Sequence, residues 1–323
     1  MLEKILITGI TGQDGLFLTK MLLSNSSKYY VYGTSRNIKN SFLKQLEYLK
    51  PDSFDNLSLI EVDLHDTNSV SELITEIKPT KLINLSGPSS VYKSYESPKE
   101  TINSINIIFD NLVDSFFKAN IEGLFFQALS SEIFEPSNNK IDEKSLINPR
   151  SPYAIGKSQI YEKSLDLREK EGVNICNGFL FNHESEFRDD EYLIMKVINS
   201  AINISNKKQE QLKIGSLEFI RDWTYANDTT EAIKKIIENS ISKDYVVGSG
   251  SGHSIKDLIS NVFEEFDLDL DKYVIVDPSL LREGDPTCII SNPTKIYNEL
   301  NWKAETSFKS LILKCIEFKL KKS

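Results

Sequence analysis

The 323-residue sequence predicts an α/β fold in which a doubly wound parallel sheet is joined by a smaller mixed α/β C-terminal lobe. Two observations lead to this prediction. Short apolar runs alternate with longer segments of helical period through the first half of the chain, which is typical of a parallel sheet with crossover helices. Beyond Phe181 the alternation gives way to loops rich in Asn, Asp and Glu, followed by a mixed tail.

Six apolar runs are the predicted strands, and each is followed by a turn or a helical segment. They cover residues 4–8, 29–34, 57–63, 81–85, 123–128 and 173–180. Helices are predicted to begin near Gly15, Thr67, Pro98 and Ser151, and a proline near a helix start is compatible because its missing N–H costs little there. Further helices are predicted over residues 191–205 and 222–238.

Composition and charge argue against several classes of function. The net charge of −9 is spread without a basic stripe, so neither nucleic acid nor a membrane surface is an expected partner. Cys176, Cys288 and Cys315 lack the spacing of a metal knuckle or a disulfide framework, and we interpret them as reduced thiols. No segment approaches the length needed to span a bilayer. We therefore expect a cytoplasmic protein without a bound metal.

A glycine-rich turn follows the first predicted strand and precedes an apolar helix. Such a turn lets the backbone approach a pyrophosphate, which then lies against the N–H groups at the helix N-terminus. Asp63 closes the third strand, where a carboxylate facing an adenine is expected. These features predict a dinucleotide-binding Rossmann domain over residues 1–180, to which residues 222–240 are expected to return. The alternative interpretation is an ordinary structural turn.

The residue after the second strand indicates which dinucleotide is bound. Arg36 stands there, and its charge would attract a 2′-phosphate, whereas an acidic residue would bind the ribose 2′-hydroxyl. NADP is therefore the predicted cofactor, and a solvated loop arginine is the alternative. The predicted cofactor-binding residues are Gly9, Thr11, Gly12, Gln13, Asp14, Gly15, Arg36, Asp63, Leu64, Leu85, Tyr153 and Lys157.

Tyr153 and Lys157 lie four residues apart in a predicted helix, and this spacing places the phenol and the ammonium on one helix face. The positive charge is expected to move the pKa of the tyrosine from its usual value of about 10 toward working pH. Tyr153 can then act as a general base toward an alcohol. This pair predicts hydride chemistry on the bound dinucleotide.

Ser130 and Glu132 follow the fifth predicted strand, at the edge of the sheet where doubly wound folds hold their ligands. A serine, a tyrosine and a lysine suffice for reversible oxidation of an alcohol. Glu132 adds a second acid–base group, which can remove a proton α to the new ketone and protonate a departing hydroxyl. The predicted catalytic set of Ser130, Glu132, Tyr153 and Lys157 therefore indicates a dehydratase. The alternative for Glu132 is a loop cap or a surface ion pair.

Several strings together resemble one known family. They are Gly-Gln-Asp-Gly at 12–15, Ser-Ser-Glu at 130–132, Asn-His-Glu-Ser at 182–185 and Arg-Asp-Trp at 221–223. The sequence resembles the extended short-chain dehydrogenase/reductases over nearly its full length, and within them the GDP-mannose 4,6-dehydratases. The resemblance implies the same four catalytic residues and a nucleotide-sugar substrate. The predicted substrate-binding residues are Ser89, Asn182, His183, Arg188, Lys196, Arg221, Arg282 and Asp285.

Two of these assignments have structural alternatives. Arg221 is suited to clamp a pyrophosphate, but it is equally suited to an ion pair packed against an aromatic ring. His183 is expected to orient substrate or to be a satisfied core histidine. Residues 181–221 and 241–323 are assigned to the lobe that binds the nucleotide sugar, and the resemblance also implies a homo-oligomer, either a dimer or a tetramer.

The sequence departs from the family pattern around the predicted ligand. Where the family continues Pro-Arg-Arg-Gly after Asn-His-Glu-Ser, this chain has residues 186–189, Glu-Phe-Arg-Asp. Met195 replaces an arginine, Asn37 replaces the second of two arginines, and Pro88 and Ser90 flank Ser89 in place of Gln and His. Lost positive charge and hydrogen-bonding groups near the sugar should change which nucleotide sugar fits.

The sequence thus predicts an NADP-dependent 4,6-dehydratase that acts on GDP-mannose or a close relative and recycles its cofactor. Two alternatives remain open. A nucleotide-sugar epimerase or reductase on the same scaffold would leave the substrate mass unchanged or consume NADPH. A non-catalytic protein that binds nucleotide sugars would show no turnover.

Overall fold

Strands and helices alternate through the first part of the computed structural model, which describes residues 2–120, 122–239, 242–281 and 285–322. The strands are β1 (Glu3–Thr8), β2 (Tyr29–Ser35), β3 (Leu57–Glu61), β4 (Lys81–Asn84), β5 (Leu124–Ser130), β6 (Asn174–Leu180), β7 (Asn182–Glu184), β8 (Leu212–Ile214), β9 (Ile220–Tyr225), β10 (Asp244–Val247), β11 (Gly252–Ser254), β12 (Val274–Val276) and β13 (Cys288–Ile289). The helices are α1 (Gln13–Leu23), α2 (Asn40–Tyr48), α3 (Thr67–Ile77), α4 (Val91–Glu96), α5 (Pro98–Ala119), α6 (Pro152–Glu171), α7 (Leu193–Ser205), α8 (Ala226–Asn239), α9 (Ile255–Glu264), α10 (Leu270–Tyr273), α11 (Thr294–Leu300) and α12 (Phe308–Lys322).

Seven strands form the main sheet, and all neighbouring pairs in it run parallel. Their order across the sheet is β10-β6-β5-β4-β1-β2-β3. The chain moves outward from β1 through β2 and β3, and then returns to the other side of β1 with β4. This reversal is the switch point where ligands bind in doubly wound sheets, at the carboxyl ends of the strands.

Helices cover both faces of the main sheet, because neighbouring residues of β1 enter different cores. Leu6 packs with side chains from α3, α5 and α6. Ile5 and Ile7 pack on the opposite face with side chains from α1 and α8. All three residues are fully buried. Burial on both faces explains why these strands are continuous apolar runs in the sequence.

The remaining strands form two smaller sheets. In one, β9 lies between antiparallel β11 and parallel β13 and also pairs with β7. In the other, β8 pairs with β12. A third core joins these sheets to α7, α9 and α12. The predicted fold class, a parallel Rossmann sheet with a smaller mixed α/β lobe, is confirmed.

The six predicted strands correspond to β1–β6, but two predictions for the second half are wrong. The helix predicted over 222–238 begins only at Ala226, because the preceding residues form β9. All but the first residue of β9 are buried, so the strand shows no polar alternation. The sequence also placed β10 in the second lobe, whereas it is an edge strand of the main sheet. At four residues, β10 is too short to show a recognisable pattern.

The rest of the predicted division into lobes stays a prediction. Every helix within the described ranges is too short or too polar to cross a membrane. The cytoplasmic location and the homo-oligomer also stay predictions.

Candidate active site

A cavity of about 550 Å³ opens at the carboxyl ends of β4, β5 and β6 and extends toward β8 and β9. It brings together most of the residues predicted to be catalytic or substrate-binding. The predicted site residues that line it are Asp14, Leu85, Ser89, Ser130, Glu132, Tyr153, Lys157, Asn182, His183, Arg188, Lys196, Arg221 and Asp285. Arg282 lies outside the described residues.

Helix α6 holds Tyr153 and Lys157 at one end of this cavity. The helix begins sharply because the Ser151 side chain accepts a hydrogen bond from the Ala154 N–H at 3.1 Å and Pro152 occupies the first helical position. Tyr153 and Lys157 are both buried. The Lys157 ammonium donates to the Ala128 carbonyl oxygen at 2.8 Å and lies 5.9 Å from the centre of the Tyr153 ring.

Burial dominates the electrostatics of this pair. It raises the pKa of Tyr153 to about 12, although a hydrogen bond with Ser130 acts in the opposite direction. It also lowers the pKa of Lys157 to about 8, because the ammonium loses its hydration. The pKa of Tyr153 therefore moves away from working pH, contrary to the expectation from the four-residue spacing. The sequence could show that the two side chains share a helix face, but not how deeply both are buried.

Ser130 and Glu132 enter the cavity from the end of β5. A 3-10 turn over Ser131–Ile133 follows the strand, and the Glu132 N–H donates to the Ser130 hydroxyl oxygen at 3.2 Å. Glu132 is partly buried and lines the same cavity as Tyr153. Its negative charge contributes to the raised pKa of Tyr153, after burial. The carboxylate is thus brought beside the phenol, as the strand-end position predicts.

The turn between β1 and α1 has the shape of a phosphate cradle. Gly15 lets the first turn of α1 pack directly against the preceding loop, since a Cβ there would lie 2.4 Å from the Ile10 carbonyl oxygen. Gly12 is the N-cap of α1, and no side chain caps this helix end. The N–H groups of the first turn are therefore available to an anion, which fits a pyrophosphate. Thr11 steadies the turn through a 3.0 Å contact between its hydroxyl and that of Ser35.

Arg36 and Asp63 follow β2 and β3, which are neighbours in the main sheet. A 2.8 Å hydrogen bond with the His65 ring lowers the pKa of Asp63, and the charge of Arg36 contributes. The two predicted cofactor residues thus lie near each other. Leu64 differs, because its side chain is buried in the core and its carbonyl oxygen accepts from the Asn111 amide at 2.9 Å.

The side chains of Gln13 and Asp14 join α1 to the segment that follows β6. The Gln13 amide donates to the His183 carbonyl oxygen and accepts from the Ser185 hydroxyl, both at 2.9 Å. Asp14 lies 2.9 Å from His183 Nε2, while His183 Nδ1 contacts the Phe181 carbonyl oxygen at 2.7 Å. Both ring nitrogens of His183 therefore have protein partners, which favours the alternative of a satisfied core histidine.

The predicted substrate residues surround the other end of the cavity. Arg221 lies 3.4 Å from the Asp285 carboxylate and 5.6 Å from the centre of the Phe219 ring. Arg221 thus forms an ion pair near an aromatic ring, but with Asp285 and Phe219 rather than with Asp222 and Trp223 of its own string, and it also lines the cavity. The Lys196 ammonium donates to the Lys213 carbonyl oxygen at 3.3 Å.

The neighbours of Arg221 in the sequence are structural. The Asp222 carboxylate accepts hydrogen bonds from the N–H groups of Ser249, Gly250 and Ser291. The Trp223 ring stacks on Phe308 with 5.3 Å between ring centres. In the string that resembles the family, Arg221 and Trp223 both line the cavity, while Asp222 and the Trp223 ring also hold β9 in place.

Tyr192 and Glu184 also line the cavity, although the sequence did not single them out. The spacing of Arg188 and Tyr192, four residues apart, was the available signal, because an arginine can stack on an aromatic ring at that separation. Within the described ranges no group of His, Cys, Asp and Glu is arranged to hold a metal ion.

The chain matches a family model described as GDP-mannose 4,6 dehydratase over residues 6–315. A GDP-mannose 4,6 dehydratase from Dictyostelium discoideum is 30% identical over 343 residues, which cover 97% of this chain and 96% of that protein. GDP-mannose 4,6 dehydratase 2 from Arabidopsis thaliana is 31% identical over 315 residues, with coverage of 95% and 84%.

Solved structures share the fold at lower identity. A dTDP-glucose 4,6-dehydratase from Streptomyces venezuelae with NAD and TYD bound has a TM-score of 0.85 at 17% identity, covering 98% of this chain and 97% of that one. The UDP-glucose 4-epimerase from Thermotoga maritima with UDP-glucose has a TM-score of 0.84 at 19% identity, covering 99% of both chains. RMD from Pseudomonas aeruginosa, complexed with NADPH, has a TM-score of 0.78 at 18% identity, with 98% of both chains covered.

Proposed function

Because the chain belongs to the GDP-mannose 4,6-dehydratase family, we propose that it removes water from GDP-mannose or a closely related GDP-hexose. The product is the 4-keto-6-deoxy sugar. The observation that carries the proposal is that Glu132 and Tyr153 line one cavity at the switch point of the main sheet. Oxidation of an alcohol needs only one proton acceptor, whereas elimination of water needs a second acid–base group.

The cofactor that fits this fold is a nicotinamide dinucleotide. The uncapped N-terminus of α1 suits its pyrophosphate, and Lys157, which lines the cavity, would bind the nicotinamide ribose. Arg36 supports NADP over NAD, since a guanidinium can bind a 2′-phosphate through two hydrogen bonds. The chemistry that the bound nicotinamide supplies is reversible hydride transfer.

Tyr153 and Ser130 act on the hydroxyl at C4. The Tyr153 phenolate takes the proton of this hydroxyl as C4 is oxidised to a ketone, and the Ser130 hydroxyl donates a hydrogen bond to O4. The pKa of about 12 in the protein means that the phenolate must be favoured by neighbouring charge when it acts. Arg188 supplies part of that charge, because it lowers the pKa of Tyr153 although burial raises it more.

Glu132 carries the elimination. The 4-keto group acidifies the proton at C5, and the Glu132 carboxylate removes it. The carboxylic acid so formed protonates the hydroxyl at C6, which leaves as water. The hydride from C4 ends at C6, C5 takes a proton from solvent, and Tyr153 releases the proton of the C4 hydroxyl. The substrate has then lost one water, and no external reductant is consumed.

Cationic residues at the far end of the cavity bind the diphosphate. Arg221 is fixed by Asp285, and Lys196 lies on the wall formed with β8. A guanidinium and an ammonium on separate elements suit two phosphate groups. Of the departures from the family pattern, Pro88 lines the cavity and is expected to influence which hexose fits, whereas Met195 is fully buried in the third core.

The test is to incubate the purified protein with GDP-mannose and other GDP-hexoses and to measure the mass of the product. Loss of one water is expected, without net consumption of NADPH. Glu132→Gln should retain the cofactor while the dehydration rate falls by about 10²–10⁴-fold. Glu135→Gln is the matched control, because Glu135 lies outside the cavity lining and bonds to Asn148.

The outcomes separate the possible activities. A product of unchanged mass would indicate an epimerase, and stoichiometric oxidation of NADPH would indicate a reductase. Binding without turnover would indicate a sensing or scaffold protein. If Glu132→Gln dehydrates the substrate as fast as the unmodified protein, the role proposed for Glu132 is wrong.

A further inference from the structure

Tyr192 places a phenol on the cavity wall just before α7 begins. Its hydroxyl lies 3.1 Å from the hydroxyl of Ser89, which belongs to the loop after β4. Both residues line the cavity. Two hydroxyls from distant parts of the chain therefore meet on the surface that faces the substrate.

The ring of Tyr192 is held in place from one side. The Arg188 guanidinium lies over it at 3.4 Å from the ring centre, which is a close stacking contact. Arg188 is in turn 3.2 Å from the carboxylate of buried Glu184, within the range of an ion pair. The phenol is thus positioned before any ligand binds, and a pre-positioned group can discriminate between ligands.

Glu191, which precedes Tyr192, joins the same segment to α4. The Lys93 ammonium of α4 lies 2.8 Å from the Glu191 carboxylate. Together with the contact between Ser89 and Tyr192, this ion pair joins the loop after β4 to the segment that precedes α7. The exposed ion pair is expected to contribute little energy, so the hydroxyl pair is the more specific feature.

Tyr192 also lies near the reacting end of the cavity. After burial, which is the main cause of the raised pKa of Tyr153, the hydroxyls and charges that influence it belong to Ser130, Glu132, Tyr192 and Arg188. These four residues all line the cavity. A hexose with C4 at Tyr153 would therefore lie in the same cavity that Tyr192 and Ser89 line.

We propose that Tyr192 is a specificity-determining residue, whose hydroxyl acts with Ser89 to bind a hexose hydroxyl that the reaction does not consume. The proposal rests on the proposed function, which places the hexose in this cavity. C4 and C6 react, so the contacted group is the hydroxyl at C2 or C3. A sugar hydroxyl both donates and accepts hydrogen bonds, and a phenol beside a serine hydroxyl offers both roles. A substrate that lacks this hydroxyl leaves the pair unmatched, which is the basis of discrimination.

Tyr192→Phe removes only the hydroxyl and retains the ring under Arg188. The matched control is Tyr30→Phe, because the Tyr30 hydroxyl also contacts a serine hydroxyl, that of Ser58, at 3.0 Å on β2 and β3, outside the cavity lining. Calorimetry with the cofactor-loaded proteins, each also carrying Glu132→Gln to slow turnover, should show that Tyr192→Phe binds GDP-mannose about 3- to 10-fold more weakly. Its affinity for GDP should be unchanged, and Tyr30→Phe should match the unmodified protein for both ligands.

Deoxy analogues identify the contacted hydroxyl. One of the two analogues, GDP-2-deoxymannose or GDP-3-deoxymannose, lacks the contacted hydroxyl. Proteins with and without Tyr192→Phe should bind that analogue equally well. The proposal is wrong if Tyr192→Phe binds GDP-mannose normally, if it loses affinity for GDP to the same extent, or if both analogues retain the full difference. If the unmodified protein does not dehydrate GDP-mannose but the selective loss of binding is found, the dehydratase proposal fails and the role of Tyr192 stands.

Discussion

Replacing Lys157 by methionine should stabilise the protein while it destroys activity. The Lys157 side chain is buried at the cavity wall, and the loss of hydration lowers the pKa of its ammonium. Methionine has a similar length and no charge, so it fills the same space without that penalty. The substitution therefore separates what the lysine does for catalysis from what it costs the fold.

The magnitude follows from the pKa. Burial lowers the pKa of Lys157 from 10.5 to about 8. One pKa unit corresponds to about 1.4 kcal/mol, so the buried charge costs the folded state about 3 kcal/mol at pH 7. Methionine also loses the hydrogen bond to the Ala128 oxygen, worth about 2 kcal/mol because the donor is charged. That oxygen keeps the Gln127 amide as a donor at 2.7 Å, so the expected net gain is about 1 kcal/mol.

The gain should depend on pH in one direction. Below about pH 8 the lysine is charged in both the folded and the unfolded state, and the full cost is present. Between about pH 8 and 10.5 the unfolded state binds more protons than the folded state, so the stability of the unmodified protein rises with pH. The advantage of Lys157→Met should therefore shrink across this interval.

Urea unfolding of cofactor-free protein at pH 7, 8, 9 and 10 measures the effect. Lys163→Met is the control, because Lys163 lies on the same helix but is partly exposed and paired with Asp110 at 2.7 Å. Its effect should stay within about 1 kcal/mol at every pH. Turnover of Lys157→Met should fall by about 10²-fold or more. A loss of stability at pH 7, or an advantage that grows with pH, would refute the reasoning.

Two further predictions concern the cofactor and the link between α1 and residues 183–185. Arg36→Ala should weaken NADPH binding by about 10- to 100-fold and leave NADH binding unchanged in a fluorescence titration, and equal loss for both would exclude a 2′-phosphate contact. Burial lowers the pKa of His183, but the charge and hydrogen bond of Asp14, together with the bond to the Phe181 backbone, outweigh it, so the pKa is raised. The pair therefore stabilises the fold fully below about pH 6.5 and less as pH rises through the folded pKa. At pH 5.5, Asp14→Asn should therefore lower the free energy of unfolding by about 1–3 kcal/mol more than Asp63→Asn, the control that alters the exposed pair with His65. The difference between the two variants should narrow at pH 8.5. A difference that does not depend on pH would show that His183 stays neutral.

Much of the fold could be predicted because its signals are short in range. The central strands β1, β4, β5 and β6 are mostly buried and carry apolar runs, and helix α6 has a clear start at Ser151 and Pro152. The second half was harder because its strands lack that signal. β9 contains Arg221 and Asp222 and leads directly into the next helix, and β10 has only four residues, so neither gives a pattern that the sequence displays.

The candidate site divides in the same way. The positions of Ser130 and Glu132 follow from the end of a strand, and the shared face of Tyr153 and Lys157 follows from helix geometry. The partners of Gln13, Asp14 and His183 could not be predicted, because the contacts join residues about 170 positions apart. For His183 the sequence leaves two interpretations open, substrate contact or a satisfied core histidine, and the contacts of both ring nitrogens with the protein favour the second.

By itself, the sequence determined the class of chemistry and the architecture that supports it, since both depend on residue types at fixed local spacings. Only the tertiary structure decided how the site is tuned. The direction in which the pKa of Tyr153 moves depends on burial by segments far away in the chain, and the meeting of Tyr192 with Ser89 depends on how two loops pack. Local spacing is set by the geometry of a helix or a strand, whereas desolvation and long-range contacts arise only when those elements are assembled around one cavity.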